Sequence, residues 1–387
     1  MKSQFTKFRL GDIAEVQTGP FGSQLHQKDY VEKGTPIITV EHLGDNRIIH
    51  NNMPNVSEED KERLSKYQIF EGDIVFSRVG SVDRRAYVTK KEDGWLFSGR
   101  CLRVRVKDSR VSSLYLSYYF GLESFKEYIR RIAVGATMPS INTQILSDIE
   151  IQIPSIEYQL KVADKLFSID EMIENNKETN KTLEVMVHSL YKHYFVNFGP
   201  FKDGNFIDSE QGEIPEGWKI VSNKDVFEFA YGKALRKKDR VLGNVPVIGS
   251  GGQVDWHDTS IVKGPSIVVG RKGNAGTITW VDEDYYPIDT TFYINNNLIS
   301  IYYLYFALHQ QHLEDKGTDS AVPGLNREVA YSQKLILPPD SVVQEFENKV
   351  KALFDKIAAN NRENYSLIET RNYLLQHLLL EDGTSES

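Results

Sequence analysis

The sequence predicts an α+β protein. Two similar mixed αβ domains are joined by two long helices that pack as an antiparallel coiled coil, with an internal pseudo-twofold. Three observations lead there. Blocks of residues recur in the same order in the two halves, at a spacing of 185 positions over the last stretch of each. Each copy opens with a strand-rich segment punctuated by Gly, Asn and Pro. Each copy ends in a long stretch whose apolar residues keep heptad spacing.

The repeat is the strongest of the three. At the offset of 185, Pro154 falls on Pro339, Gln159 on Gln344, Asp170 on Asp355 and Asn175-Asn176 on Asn360-Asn361. Leu183 falls on Ile368 and Leu190 on Leu375. Upstream, "ATMPSIN" (136–142) matches "SAVPGLN" (320–326), and "IQIPS" (151–155) matches "LILPP" (335–339). "FRLGDIAEVQTG" (8–19) resembles "WKIVSNKDVFEFAYG" (218–232), and "GTPIITV" (34–40) resembles "NVPVIGS" (244–250). "EGDIVFSRVGS" (71–81) resembles "KGPSIVVGRKG" (263–273). The period is too long for a solenoid, so one domain plus one helix has been duplicated in tandem.

The expected order is therefore a first mixed αβ domain at 1–153, a spacer helix at 154–198, a second domain at 199–337, a second spacer helix at 338–380 and a flexible tail at 381–387. Within the heads, "DIVFSRV", "CLRVRV", "SIVVGR" and "TITWVD" read as strands. The segments 114–132 and 299–315 have the period of packed helices.

The first spacer has a seam of Leu166, Ile169, Ile173, Asn176, Asn180, Leu183, Val187, Leu190 and Tyr194, stepping by threes and fours. The second has Val350, Phe354, Ile357, Asn361, Asn364, Ile368, Arg371, Leu375 and Leu378, with Arg371 weakening the stripe. Asn lies near the middle of each. Antiparallel packing brings middle to middle, so the Asn pairs meet. A polar residue in such a seam costs stability and sets register and orientation. The competing reading leaves these Asn solvated in a frayed middle.

Composition narrows the function. No run approaches the ~20 apolar residues of a membrane span, and no N-terminal stretch reads as a signal peptide. A soluble, cytoplasmic chain is expected. Cys101 is the only cysteine, so no intrachain disulfide or CxxC metal knuckle exists. The nine His are scattered, and no metal site is expected. Net charge is −8, yet residues 1–153 carry 22 Lys and Arg against 20 Asp and Glu. Basic clusters stand at 84–91, 100–107 and 233–240. The average neither excludes nor supports a basic groove.

Two similar heads held at a fixed separation suit DNA, where twofold proteins read paired half-sites at a spacing set by their reading elements. The divergence of these heads implies two different half-sites. At this point the chain resembles the specificity (S) subunit of type I restriction-modification enzymes. The resemblance covers nearly the whole length. It rests on "LGDIAEVQTG", "EGDIVFSRVGS", "ATMPSIN" followed by "IQIPSIEYQLKVADKL", "IPEGWK" (214–219), "PVIGSGG" (246–252), and "SAVPGLN" before "LILPP". It implies two target recognition domains that read a split DNA target, with the helices setting the gap. It implies a non-catalytic subunit that docks two adenine-methylating modification subunits and, through them, ATP-driven restriction subunits. No cofactor is expected on this chain; S-adenosylmethionine, ATP and Mg belong on the partners. An adaptor that binds protein or another non-DNA ligand through the same heads is the alternative.

DNA binding calls for Lys and Arg at phosphates and Arg, Gln or Asn at base edges. The first head offers Gln24 and Lys28 in a Gly-bounded loop, then Arg78, Arg84 and Arg85. The second offers Lys233, Arg236, Lys237, Lys238 and Arg240, then Arg271, Lys272 and Asn274. Arg78 and Arg271 occupy matching places after matching strands. Each competes with a plain solvated charge, and the loops "ATMPSIN" and "SAVPGLN" with a structural turn. Three enzymatic motifs fail. "IGSGG" (248–252) leads into no helix and is no dinucleotide fingerprint. "FGPF" (198–201) is a fragment of a methyl-donor motif, without the Asn/Asp-Pro-Pro-Tyr/Phe run that methylation needs. "PDSVVQEFENK" (339–349) imitates a nuclease core but opens a heptad helix, where Asp340 reads as a cap.

Overall fold

The computed structural model describes residues 5–20, 22, 24–295, 298–317 and 324–380 of the chain. The tail expected at 381–387 and residues 320–323 of the "SAVPGLN" loop lie outside these. The chain divides into two compact units. One is Met1–Glu174 with Tyr365–Ser387, the other Asn175–Asn364. Each unit thus takes one head, part of the first long helix (Ile156–Tyr191) and part of the second (Asp340–Leu380).

In the first unit a four-stranded antiparallel sheet runs in the order Ala14–Thr18, Cys101–Val106, Ile74–Ser77, Arg85–Tyr87. A three-stranded sheet follows the order Asn55–Val56, Thr35–Ile38, Leu96–Phe97, the last pair parallel. Thr6–Arg9 pairs antiparallel with Glu150–Ile153 and closes the head beside the helix. "DIVFS" is an unbroken apolar run because its strand is covered on both faces. Ile74 and Phe76 enter one cluster with Leu102, Val104 and Leu116. Val75 enters another with Ile37, Ile38 and Phe97. The pleat alternates sides, so neighbours in sequence serve different cores. Cys101 lies in the second of these, where burial pushes its thiol up to about 12 and leaves it inert.

The second unit repeats this order strand for strand. Its four-stranded sheet is Glu228–Tyr231, Thr291–Asn295, Ser266–Gly270, Ile278–Val281. Its three-stranded sheet is Gly252–His257, Val245–Gly249, Tyr286–Pro287, again with the last pair parallel. Lys219–Ser222 pairs with Lys334–Leu337. Ile267 and Val269 face the main core while Val268 faces a smaller one with Ile248, Val281 and Tyr285. A short hairpin, Phe206–Ile207 with Ile214–Pro215, has no counterpart in the first unit's described residues.

The long helices pack antiparallel within each unit. In the first, the Tyr158 hydroxyl donates to the Leu378 carbonyl at 3.2 Å, while Asp170 meets Arg371. In the second, Val187, Tyr191 and Tyr194 share a core with Val343, Phe346, Val350 and Phe354. Further along that pair the Asn residues meet. Asn176 Nδ2 donates to Asn364 Oδ1 and Glu363 Oε2, both at 3.0 Å. Asn180 Nδ2 donates to Asn361 Oδ1 at 2.8 Å, and Asn360 Nδ2 donates to Asn180 Oδ1 at 2.7 Å.

Of the seam positions, Leu166, Ile173 and Phe354 are buried, and Ile169, Asn176, Leu183, Leu190, Ile357 and Leu375 are half-buried. Two differ from the heptad reading. Asn361 stands exposed on the flank and Asn360 is the buried one, 1% accessible. Ile368 is 37% exposed while Leu367 turns inward. A helix of 3.6 residues per turn drifts against a strict 3.5 repeat, so the stripe shifts by one position at these two steps. Arg371 also differs: it strengthens the stripe. Its guanidinium bonds Asp170 Oδ1 at 3.0 Å and Asp45 Oδ2 at 2.5 Å, and Asp45 lies 3.5 Å from buried Arg85. Tyr118 completes the chain by donating to Asp170 Oδ2 at 2.6 Å.

Arg371→Ala strands the buried Asp170 carboxylate, and urea titration should show a loss of about 3–5 kcal/mol. The same cluster sets a pH response. Burial alone raises the Asp45 carboxyl, but Arg371 and Arg85 outweigh it and hold it below its ordinary value. A lowered folded pKa contributes stability that is complete above the unfolded pKa and fades as pH falls through the folded one. Below about pH 4 the wild-type protein should therefore lose stability faster than R371A.

Candidate nucleic-acid interface

The four-stranded sheet of each head brings two strand ends to one edge. In the first head Thr18 lies opposite Leu102 and Ser77 opposite Cys101. In the second Tyr231 lies opposite Phe292 and Gly270 opposite Thr291. The chain leaves the sheet at Gly19 and Gly232, and at Arg78 and Arg271. A Cβ on Gly19 would stand 2.2 Å from the Ser98 carbonyl oxygen, and one on Gly232 2.1 Å from that of Ile288. Only glycine lets the backbones pass so closely.

Arg78 and Arg271 are held by the same bonds. The Arg78 amide donates to the Arg100 carbonyl at 2.8 Å and its Nη1 to the Gly99 carbonyl at 2.9 Å. The Arg271 amide donates to the Thr290 carbonyl at 2.8 Å and its Nη1 to the Asp289 carbonyl at 2.9 Å. Each Arg carbonyl then accepts from the motif loop, from Ile141 at 3.0 Å and from Leu325 at 2.9 Å. The final Asn of each motif caps the next short helix. Asn142 Oδ1 accepts from the Ile145 amide at 2.8 Å, and Asn326 Oδ1 from the Glu328 amide at 2.8 Å. The "ATMPSIN" loop thus has a structural end, at Asn142, and an exposed middle, where Met138 is 58% accessible.

The remaining candidates separate by surroundings. Lys28, Lys233, Lys237, Lys238, Lys272 and Asn274 are exposed. Arg236 is exposed and pairs with Asp239 at 2.8 Å. Gln24 is half-buried, its Oε1 accepting from the Tyr67 hydroxyl at 2.7 Å. Arg84 is half-buried and donates to the Leu43 carbonyl. Arg240 is tied to Asp255 at 2.7 Å with little side-chain exposure. Arg85 is corrected outright. It is 3% accessible, donates from Nε to the Ser117 carbonyl at 3.0 Å and lies beside Asp45. It opens the strand Arg85–Tyr87, whose alternation turns it inward, so no phosphate can reach it.

Two residues at the second sheet edge were missing from the sequence-based set. The Tyr231 ring is 45% exposed and has two guanidiniums over it, Arg271 at 4.9 Å and Arg327 at 4.8 Å from its centroid. The available signal was position. Tyr231 precedes Gly232, and Arg327 follows the Asn326 cap, each at the border of a repeated block. Among the described residues no group of His, Cys, Asp and Glu is suited to a metal ion, and no helix is long and apolar enough to cross a membrane.

The chain matches the family model described as type I restriction modification DNA specificity domain twice, over residues 2–185 and 215–369. It is 25% identical over 402 residues to the type I restriction enzyme MjaIX specificity subunit of Methanocaldococcus jannaschii, covering 96% of this chain and 91% of that one. It is 22% identical over 474 residues to the HindI specificity subunit of Haemophilus influenzae, covering 97% and 99%. The crystal structure of the type I restriction-modification S subunit from M. genitalium has the same fold, with a TM-score of 0.67, 16% identity and coverage of 97% and 96%.

The close approach at Gly19 gives a direct check. Gly19→Ala should cost about 1–3 kcal/mol in thermal or urea unfolding. Gly22→Ala, whose Cβ meets nothing within 4 Å, should stay within about 0.5 kcal/mol of wild type.

Proposed function

The chain belongs to the type I restriction-modification DNA specificity family, and from this premise we propose how its two heads share the work. It acts as the DNA sequence-specificity component of a restriction-modification system. Each head reads one half of a split target. The observation that carries this is the double match, with the same strand order and the same anchored arginine, Arg78 or Arg271, in each copy. A non-DNA adaptor is disfavoured, because both copies match a DNA specificity model.

The chain itself performs no chemistry in this reading. It carries two adenine-methylating modification subunits and, through them, restriction subunits, in the cytoplasm. S-adenosylmethionine, ATP and Mg act on those partners. The helices set the number of base pairs between half-sites. At 1.5 Å per residue, the continuous helices of 36 and 41 residues are about 54 and 61 Å long. The exposed cations at Lys28, Lys233, Lys237, Lys238 and Lys272 contact phosphates, so affinity follows local charge and not the net −8.

The primary test maps methylated adenines in cells that co-express the chain with its modification partner. A motif with two different halves at a fixed gap is expected; an uninterrupted motif would sink the two-headed reading. One heptad inserted in both helices should lengthen the gap, and an insertion in one helix alone should abolish methylation. Salt titration adds a check on the cations. The complex of Lys237→Gln with Lys238→Gln should show a slope of log affinity against log salt shallower by about 2 than wild type.

A further inference from the structure

We propose that Arg327, Tyr231 and Arg271 form the DNA-contacting stack of the second head, with Arg327 the residue whose guanidinium edge meets the nucleic acid. This rests on the DNA-specificity reading and deepens it by naming a contact in one head.

Tyr231 ends its strand at the sheet edge, and the Arg271 and Arg327 guanidiniums both lie over its ring, at 4.9 and 4.8 Å from the centroid. Arg271 also lies 6.0 Å from the Phe292 ring, and Arg327 5.8 Å from the Tyr331 ring. A guanidinium stacked on a ring keeps its N–H edge available, because the attraction acts through its face. Arg271 commits one Nη1 to the Asp289 carbonyl at 2.9 Å. Among the described residues no carboxylate makes an ion pair with Arg271 or Arg327. That sets them apart from Arg236 and Arg240, which pair with Asp239 and Asp255. A stacked guanidinium without a carboxylate is oriented for an outside acceptor.

A planar fork of donors suits two acceptors side by side, which DNA offers as a guanine O6/N7 edge or as phosphate oxygens. Lys272 and Lys233 flank the stack in sequence, directly after Arg271 and one residue beyond Gly232, and both are exposed. The matching places in the first head are Thr18 for Tyr231 and Thr143 for Arg327, read from the common Gly and Asn landmarks. The anchored arginine is thus common to both heads, while the ring and second arginine belong to one. Loss of the stack should therefore affect one half-site only.

The test uses the chain assembled with its modification partner and a duplex carrying the mapped methylation motif. Arg327→Ala should weaken binding about tenfold to a hundredfold while assembly and unfolding temperature stay unchanged. Tyr231→Phe should retain affinity and Tyr231→Leu should lose it. Two forms of loss support the proposal and separate the acceptors. A base contact relaxes the motif at a position in one half-site, with the salt slope kept. A phosphate contact weakens all sequences alike and makes the slope shallower by about 1. Wild-type affinity and an unchanged motif in an intact R327A complex would overturn it. Absence of any sequence-specific binding by the wild-type complex would instead overturn the DNA-specificity reading itself.

Discussion

Polar groups inside an apolar seam must find partners, because an unpaired buried amide or carboxylate costs more than the seam's apolar neighbours return. The two units meet most of this demand with different chemistry, while Asn360 Oδ1 and Arg371 Nε are buried with no hydrogen bond among the described residues. In one, amides join amides, with Asn180 receiving from Asn360 and donating to Asn361. In the other, ions join ions, with Arg371 between Asp170 and Asp45. An Asn or an Asp has a partner in only one alignment of two helices, so each seam admits one register. Leucine in the same places would pack more tightly and would accept several.

The ionic seam does a second job. Asp45 belongs to the head, and Arg85 behind it holds it from within. Arg47 adds a bond at 2.5 Å to Glu171 on the helix. Helix and head are therefore joined by directional contacts as well as by the apolar cluster around Leu166 and Leu379. Apolar contact alone tolerates sliding. Bonds with fixed donors and acceptors do not.

Much of this was legible in the sequence. A duplication shows itself through blocks that recur in the same order, and a coiled coil through spacing along one helix; both can be read along the sequence. The equivalence of Arg78 and Arg271 followed from strand and motif order. What stayed hidden depends on partners far away in the chain. Arg85 looked like its neighbour Arg84 until strand alternation set it beside Asp45, 40 positions earlier. Arg371 looked like a flaw in its stripe because Asp170 lies 201 positions away. Tyr231 and Arg327 are 96 positions apart in sequence and meet only once the sheet edge is built. Asn360 and Asn361 were separable only by the drift of a real helix against an ideal repeat.

The same distinction explains why net charge was a poor guide to DNA. An arginine counts for binding only if its charge is not already answered. Arg103 is answered by Glu15 at 2.8 Å, Arg105 by Asp73 at 2.6 Å, and Arg240 by Asp255 at 2.7 Å. These pairs contribute nothing to an outside anion, yet all enter the sum of 46 basic and 54 acidic residues. Removing them from both sides leaves the net charge unchanged and alters its meaning. The arginines that remain at the second sheet edge are held by aromatic rings, which orient a cation without neutralising it. An acidic protein can therefore present a basic edge, provided its carboxylates are placed on the arginines that build the fold and kept off those at that edge.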